Sequence, residues 1–134
     1  MLKQLSIYAE NKKGALQTMT NALYEAGINI WGSVTNDGAE YGINRMVVSD
    51  PDKAKEVLTE KGYLCRFVDV LAVEIEDKPG ALNTLLTALL DSNVNVDYTY
   101  LSFNRDSSTP VMILHTADPE EVEIFLRAKG FKMV

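Results

Sequence analysis

The sequence predicts an α+β protein made of two tandem βαββαβ units, and three observations carry that prediction. The stretch ENKKGAL at 10–16 returns as EDKPGAL at 76–82, so Gly14-Ala15-Leu16 matches Gly80-Ala81-Leu82 at an offset of 66 (80 − 14). Asp50-Pro51 and Lys61-Gly62-Tyr63 match Asp118-Pro119 and Lys129-Gly130-Phe131 at an offset of 68 (118 − 50), so the second copy carries two extra residues in between. Within each copy the apolar period switches between strand-like and helix-like spacing in the same order.

Leu5, Ile7 and Ala9 alternate like a half-buried strand, as do Leu71, Val73 and Ile75. Helical spacing follows at Leu16, Met19, Leu23 and Ala26, and at Leu82, Leu85, Leu86, Leu89 and Leu90. Gly27 or Asn93, residues that tolerate the left-handed conformation, ends each of these helices. A strand is expected over 28–34 or 94–103, then a hairpin at the turn formers of 37–39 or 104–110, then a strand over 43–48 or 111–116. A second helix starts after each Asp-Pro, where the aspartate can cap and the proline suits the first turn. It buries Ala54, Val57 and Leu58, or Val122, Phe125 and Leu126, until Gly62 or Gly130 stops it.

Short connections and right-handed crossovers close this order as a four-stranded antiparallel sheet with both helices on one face, the ferredoxin-like split βαβ. One domain is expected at 1–68 and the other at 69–134, with no linker between them. Val111-Met112-Ile113-Leu114 is apolar on both strand faces, which predicts that the open face of the sheet is covered as well, by contact between repeats or by a dimer.

Composition narrows the function classes. The 134 residues are 46% hydrophobic and 24% charged, the balance of an ordinary globular chain, and a net charge of −6 disfavours nucleic acid and anionic membrane as partners. One cysteine and one histidine build neither an internal disulfide nor a soft-ligand zinc site, and no cofactor is expected. The N-terminal MLKQLSIYAE lacks the apolar core of a signal peptide and no apolar run approaches the roughly 18 residues of a membrane helix, so a cytoplasmic protein is expected.

Each repeated glycine falls at the N-terminus of the first helix, where free backbone N–H groups and the helix dipole favour a carboxylate or phosphate. A tight strand-to-helix turn alone would also ask for glycine. Asn29 and Asn95 open the second strand, each eighteen positions after Asn11 or Asp77 (29 − 11 and 95 − 77). The loop after strand one and the residue entering strand two are expected near each other at one sheet end, because the helix between them returns the chain alongside. An amide there can accept from an ammonium and donate to a carboxylate, while capping and turn roles account for each residue taken singly.

At Glu10 to Leu16 with Ala26-Gly27-Ile28-Asn29-Ile30, and at Glu76 to Leu82 with Asn93-Val94-Asn95-Val96, the chain resembles the ACT domain, a small regulatory βαββαβ module that binds amino acids. The resemblance covers essentially the whole chain as a tandem pair. It implies an amino-acid ligand lying between neighbouring ACT units, touched by the glycine loop of one and the strand-two start of the other. The implied contacts are Asn11, Lys13, Gly14, Ala15, Leu16, Asn29 and Ile30 in the first repeat. In the second they are Asp77, Pro79, Gly80, Ala81, Leu82, Asn95 and Val96. Lys13 stands where the family commonly has proline, and Asp77 stands where an amide would bind a carboxylate without repulsion, so the two sites are not expected to be equivalent.

Trp31 either walls a pocket for an apolar or aromatic ligand side chain or packs between repeats, and Tyr98 and Tyr100 share one strand face with the same two readings. His115 reads as a packed or rim histidine, Cys65 as a small core residue, and the acids after Asp118 as partners of a helix dipole. No converged acid, base or nucleophile is apparent, so no catalytic residue is assigned. An acylphosphatase-like activity would need an arginine beside the glycine loops, and an RNA-recognition surface would need aromatics on the 43–48 strand. What the resemblance implies is a non-catalytic regulator that binds a free amino acid. It would pair as a homodimer or dock on an amino-acid-metabolism enzyme. The alternative is an oligomerising interaction module with no small-molecule ligand.

Overall fold

The computed structural model describes residues 1–10, 12–36 and 41–134. The chain divides into two compact units, Lys3–Val68 and Asp69–Val134, the second joined by Met1–Leu2. The first unit runs β1 (Leu2–Glu10), α1 (Ala15–Glu25), β2 (Ile30–Asn36), β3 (Tyr41–Val48), α2 (Pro51–Glu60) and the start of β4 (Leu64–Glu74). The second takes the rest of β4, then α3 (Ala81–Asp91), β5 (Tyr98–Phe103), β6 (Pro110–His115), α4 (Pro119–Ala128) and β7 (Lys132–Met133). The strand order is β2-β3-β1-β4 in the first unit and β5-β6-β4-β7 in the second. Strand β3 is antiparallel to β1 and β2, and β6 to β4 and β5, so both units are α+β βαββαβ folds.

The helices end where backbone conformation dictates. Gly27 (φ 74°) and Asn93 (φ 58°) are left-handed, and the following N–H groups of Ile28 and Val94 donate back to the carbonyls of Leu23 and Leu89 at 3.0 and 2.9 Å. Pro51 and Pro119 are the first helical residues of α2 and α4. The Asp50 carboxylate caps α2 by accepting from the Lys53 N–H at 3.2 Å, whereas Asp118, expected to do the same for α4, makes no side-chain cap.

One core sits under each helix pair. Leu5, Ile7, Met19, Leu23, Met46 and Leu58 fill the first, and Leu71, Val73, Leu85, Leu89, Leu114 and Leu126 the second. Val111, Met112, Ile113 and Leu114 are all buried, so the face of β6 turned away from the helices is covered, as its unbroken apolar run predicts.

Two strands start later than the hydrophobic pattern suggests, β2 at Ile30 and β5 at Tyr98. Val94 and Val96 pack against the core by turning in after the left-handed Asn93, and regular pairing waits for the Asp97 N–H to reach the His115 carbonyl at 2.9 Å. The β5–β6 hairpin is closed by the Asn104 N–H on the Thr109 carbonyl at 2.8 Å, which places Pro110 in β6 rather than in the loop. The expected hairpin at 37–39, like Asn11, lies outside the described residues.

Candidate functional site

The glycine loops are built alike. Gly14 and Gly80 stand at φ 83° and 87°, and a Cβ at either would meet nothing within 4 Å, so the left-handed bend alone demands glycine. Lys12 pairs with Glu10 at 3.1 Å and Lys78 with Glu76 at 2.8 Å. The hydroxyls of Thr18 and Thr84 donate to the Gly14 and Gly80 carbonyls at 2.9 and 3.0 Å. Neither α1 nor α3 has a side-chain cap, so each 11-residue helix offers its positive end at the loop.

A cavity lies beside each loop. In the first unit it measures about 430 Å³ and is lined by Tyr8, Lys12, Lys13, Gly14, Thr18 and Tyr63 among others. In the second it measures about 400 Å³ and is lined by Glu74, Lys78, Ala81, Thr84, Phe131 and Lys132 among others. Lys12, Ala15 and Thr18 recur as Lys78, Ala81 and Thr84, and Gly62-Tyr63 recurs as Gly130-Phe131, so the two cavities occupy the same place in the repeat.

Their chemistry differs in the loop, where Lys13 corresponds to Pro79, and on one wall, where Tyr8 corresponds to Glu74. The Glu74 carboxylate pairs with Lys132 at 3.2 Å and accepts from the Asn104 amide at 3.3 Å. Burial pushes this carboxyl up, but hydrogen bonds from Lys132 and Thr109, the Lys132 charge and the Asn104 bond together carry it below the usual carboxylate range. On the other flank of the Gly14 loop, a cavity of about 300 Å³ includes Leu16, Thr35 and the buried Asn44. The Asn44 amide donates to Thr35 Oγ1 at 2.7 Å and to Ser33 Oγ at 3.2 Å.

The strand-two starts are placed differently from expectation. Ile30 pairs with Val48 while Glu10 pairs with Tyr41, and Tyr98 pairs with His115 while Glu74 pairs with Val111. Asn29 and the Gly14 loop therefore lie at opposite ends of the first sheet, and Asn95 and the Gly80 loop at opposite ends of the second. The expected meeting within one unit does not occur. A helix runs antiparallel to the strand before it, so it delivers strand two to the end where strand one began, a separation of roughly 20 Å at about 3.3 Å per residue.

Around Asn29 the backbone is tied down, its N–H donating to Ser49 Oγ at 3.0 Å and its carbonyl accepting the Ser49 N–H at 2.9 Å. Asn95 donates its amide to Asp97 at 3.1 Å. Ile30 and Val96 pack against the two cores. Trp31 is half-buried at a register irregularity of the β2–β3 ladder, Tyr98 stacks on His115 with ring centroids 5.0 Å apart, and Tyr100 is buried. In the loops and the first helical turns Lys13, Asp77, Pro79, Gly80, Leu16 and Leu82 are all exposed.

Sequence reasoning missed Thr18, Thr84, Tyr63, Phe131, Glu74, Lys132 and Asn44. The first four recur at the repeat offsets and were findable by that signal; Glu74 meets Lys132 in the second unit, and Asn44 meets Thr35 in the first, only through sheet pairing. Cys65 is buried, and desolvation, opposed by Lys55, holds its thiol above the ordinary range. Among the described residues no cluster of three or more His, Cys, Asp or Glu could hold a metal ion, and no helix is long and apolar enough to cross a membrane.

A crystal structure of a Bacteroides thetaiotaomicron protein superposes with a TM-score of 0.91 at 30% identity, covering 99% of this chain and 91% of that one. The ligand-free regulatory subunit of aspartate kinase from Thermus thermophilus shares the fold at a TM-score of 0.66 and 17% identity, over 96% of this chain and 91% of that one. Its counterpart from Thermus flavus does so at 0.61 and 20%, over the same shares. No curated protein matches the sequence significantly. The family model described as an ACT domain pair matches residues 1–133. Two copies of one loop geometry on two βαββαβ units are what that description requires, and the chain belongs to the ACT family as an ACT domain pair.

Proposed function

We propose that this ACT domain pair is a non-catalytic regulator that binds a free amino acid, with one ACT domain at 1–68 and the other at 69–134. The observation that carries the reading is the pair of matched cavities beside Gly14 and Gly80, each at an uncapped helix N-terminus suited to an α-carboxylate. Neither unit brings its own loop to its own strand-two asparagine. A complete head-group site therefore needs the loop of one ACT unit and the Asn29 or Asn95 of another, in the same chain or in a second copy. Ligand binding at such a junction orders it and changes self-association or docking on a client enzyme in a cytoplasmic setting. Chains of this fold described as regulatory subunits of aspartate kinase support the regulatory part of the reading.

A panel of free amino acids at millimolar concentration tests this by thermal shift. A ligand at about 100 times its dissociation constant stabilises the native state by roughly 2.7 kcal/mol, a rise of several degrees. Asn29→Ala, which leaves the backbone bonds to Ser49 in place, is expected to abolish the shift of the responding amino acid without lowering the midpoint of the free protein. A flat panel removes the reading. It would favour an interaction module without a ligand, for which the exposed Leu90, Leu101 and Phe103 of the second unit (74%, 49% and 52% accessible) are the supporting observation.

A further inference from the structure

A third feature of the second unit lies away from the glycine loop, where the end of β6 and the first turn of α4 meet the chain leaving α3. A cavity of about 460 Å³ opens there, lined in part by Asn95, Asp97, Thr116, Asp118, Glu121 and Phe125. Thr116 is 2% exposed, and its hydroxyl has no hydrogen-bond partner among the described residues. A buried hydroxyl left so carries its full desolvation penalty, a burden native structures seldom retain without a use.

The first unit shows how the same corner looks when closed. The counterpart of Thr116 is Val48 (116 − 68), which has no polar group to satisfy, and the counterpart of Ala117 is Ser49 (117 − 68). Ser49 locks the corner through its two bonds with Asn29, and the Asp50 carboxylate is spent on the helix. In the second unit the locking hydroxyl is gone, the Asp118 carboxylate makes no cap, and a hydroxyl appears on the wall instead. The duplication has exchanged a self-satisfied corner for a lined cavity.

We infer that this cavity is a second small-molecule site, which takes a small organic cation bearing a primary ammonium. Its ionisable lining is entirely acidic, Asp97, Asp118 and Glu121, with no lysine or arginine on the wall, so an anion is repelled. His115 is already engaged with Asp97 at 2.8 Å, and Glu120 and Glu121 answer the positive end of α4. The described residues form no metal-binding cluster, which leaves a cation that binds by donating hydrogen bonds. An ammonium donates to Thr116 and to the carboxylates, and Val122 and Phe125 give its alkyl part an apolar floor.

The test is a titration of the full chain with n-butylammonium chloride, followed by amide NMR, with butyrate, leucine and calcium chloride as controls. Saturable shifts confined to Thr116, Ala117, Asp118 and their neighbours are expected with the amine alone. Thr116→Val, which installs the residue of the first unit, is expected to weaken the amine roughly ten- to a hundredfold, the loss of a hydrogen bond to a charged group, while leaving the thermal midpoint unchanged or higher. Ala117→Ser, a conservative change at an exposed position, restores the locking hydroxyl and is expected to weaken it as well. Absence of saturable shifts, equal affinity in both variants, or the same response to butyrate, leucine or calcium would overturn the inference. Asn95 lines this cavity and is also a strand-two residue of the proposed amino-acid site, so the amino-acid thermal-shift panel is repeated on both variants. A shift retained while the amine response is weakened separates the two sites, and a shift lost together with the amine response overturns the inference of a second site.

Discussion

The two ends of each unit have had different histories. At the end bearing the glycine loop the units are near-copies, with the same left-handed glycine, the same lysine–glutamate pair and the same threonine hydroxyl on the glycine carbonyl. At the opposite end they part: Ser49 and Asp50 lock the first unit, while in the second Ala117 has no hydroxyl, Asp118 makes no side-chain cap, and the Thr116 hydroxyl has no hydrogen-bond partner among the described residues. The loop is written into backbone conformation, which leaves few residue types that fit, whereas the other end is held by side-chain hydrogen bonds that one substitution removes. A duplication thus keeps what the backbone demands and is free to vary what side chains supply.

The comparison is broken most forcefully in the cores, where the units are expected to behave alike. Leu23 and Leu89 hold the same place in α1 and α3 (89 − 23 = 66) and are 0% and 1% exposed. Leu23→Ala and Leu89→Ala are each expected to cost about 2–5 kcal/mol in urea unfolding, the range for truncating a buried leucine. A large loss in one variant and a negligible one in the other would show that the two cores are not packed to the same standard.

The helix caps sharpen the contrast at the diverged end. Asp50→Ala removes a carboxylate that accepts from the Lys53 N–H and is expected to cost about 1 kcal/mol, while Asp118→Ala, at an aspartate with no cap bond, is expected to cost a few tenths at most. Equal losses, read from urea midpoints, would mean that Asp118 caps α4 in solution and that the second corner is closed like the first.

Most of the fold was legible because it rests on local rules. The repeat offsets, the alternation at Leu5, Ile7 and Ala9, the left-handed Gly27 and Asn93, and the prolines opening α2 and α4 each follow from one residue's own conformational preferences. The candidate site was legible only in halves. Gly14 and Gly80 announce themselves, but their relation to Asn29 and Asn95 depends on strand direction, and a helix that reverses the chain separates what sequence spacing seems to join. Glu74 and Lys132, 58 residues apart (132 − 74), meet beside the loop through the pairing of β4 with β7, which no local pattern encodes. Thr116 stands just past β6 where the first unit has Val48, and the lack of a hydrogen-bond partner for its buried hydroxyl among the described residues is set by which groups the fold brings near it, which no local pattern encodes.

The smallest expected effect lies at the wall of the matched cavities where Tyr8 and Glu74 correspond. Glu74 titrates below the ordinary carboxylate range of about 4.3, because the hydrogen bonds from Lys132, Thr109 and Asn104 outweigh its burial, whereas the first unit has Tyr8 at this place. A carboxyl whose folded pKa is depressed adds stability that is complete above its unfolded pKa and disappears as the pH falls through the folded one. Glu74→Gln is therefore expected to be less stable than the parent at neutral pH, with the gap closing as the pH is lowered from about 5 towards 3, and Tyr8→Phe should show no such trend. Urea midpoints across that range read both variants directly. A gap for Glu74→Gln that stays constant down to the acid limit would assign its cost to lost packing and hydrogen-bond geometry. The charge of the Glu74–Lys132 pair would then not distinguish the second cavity from the first.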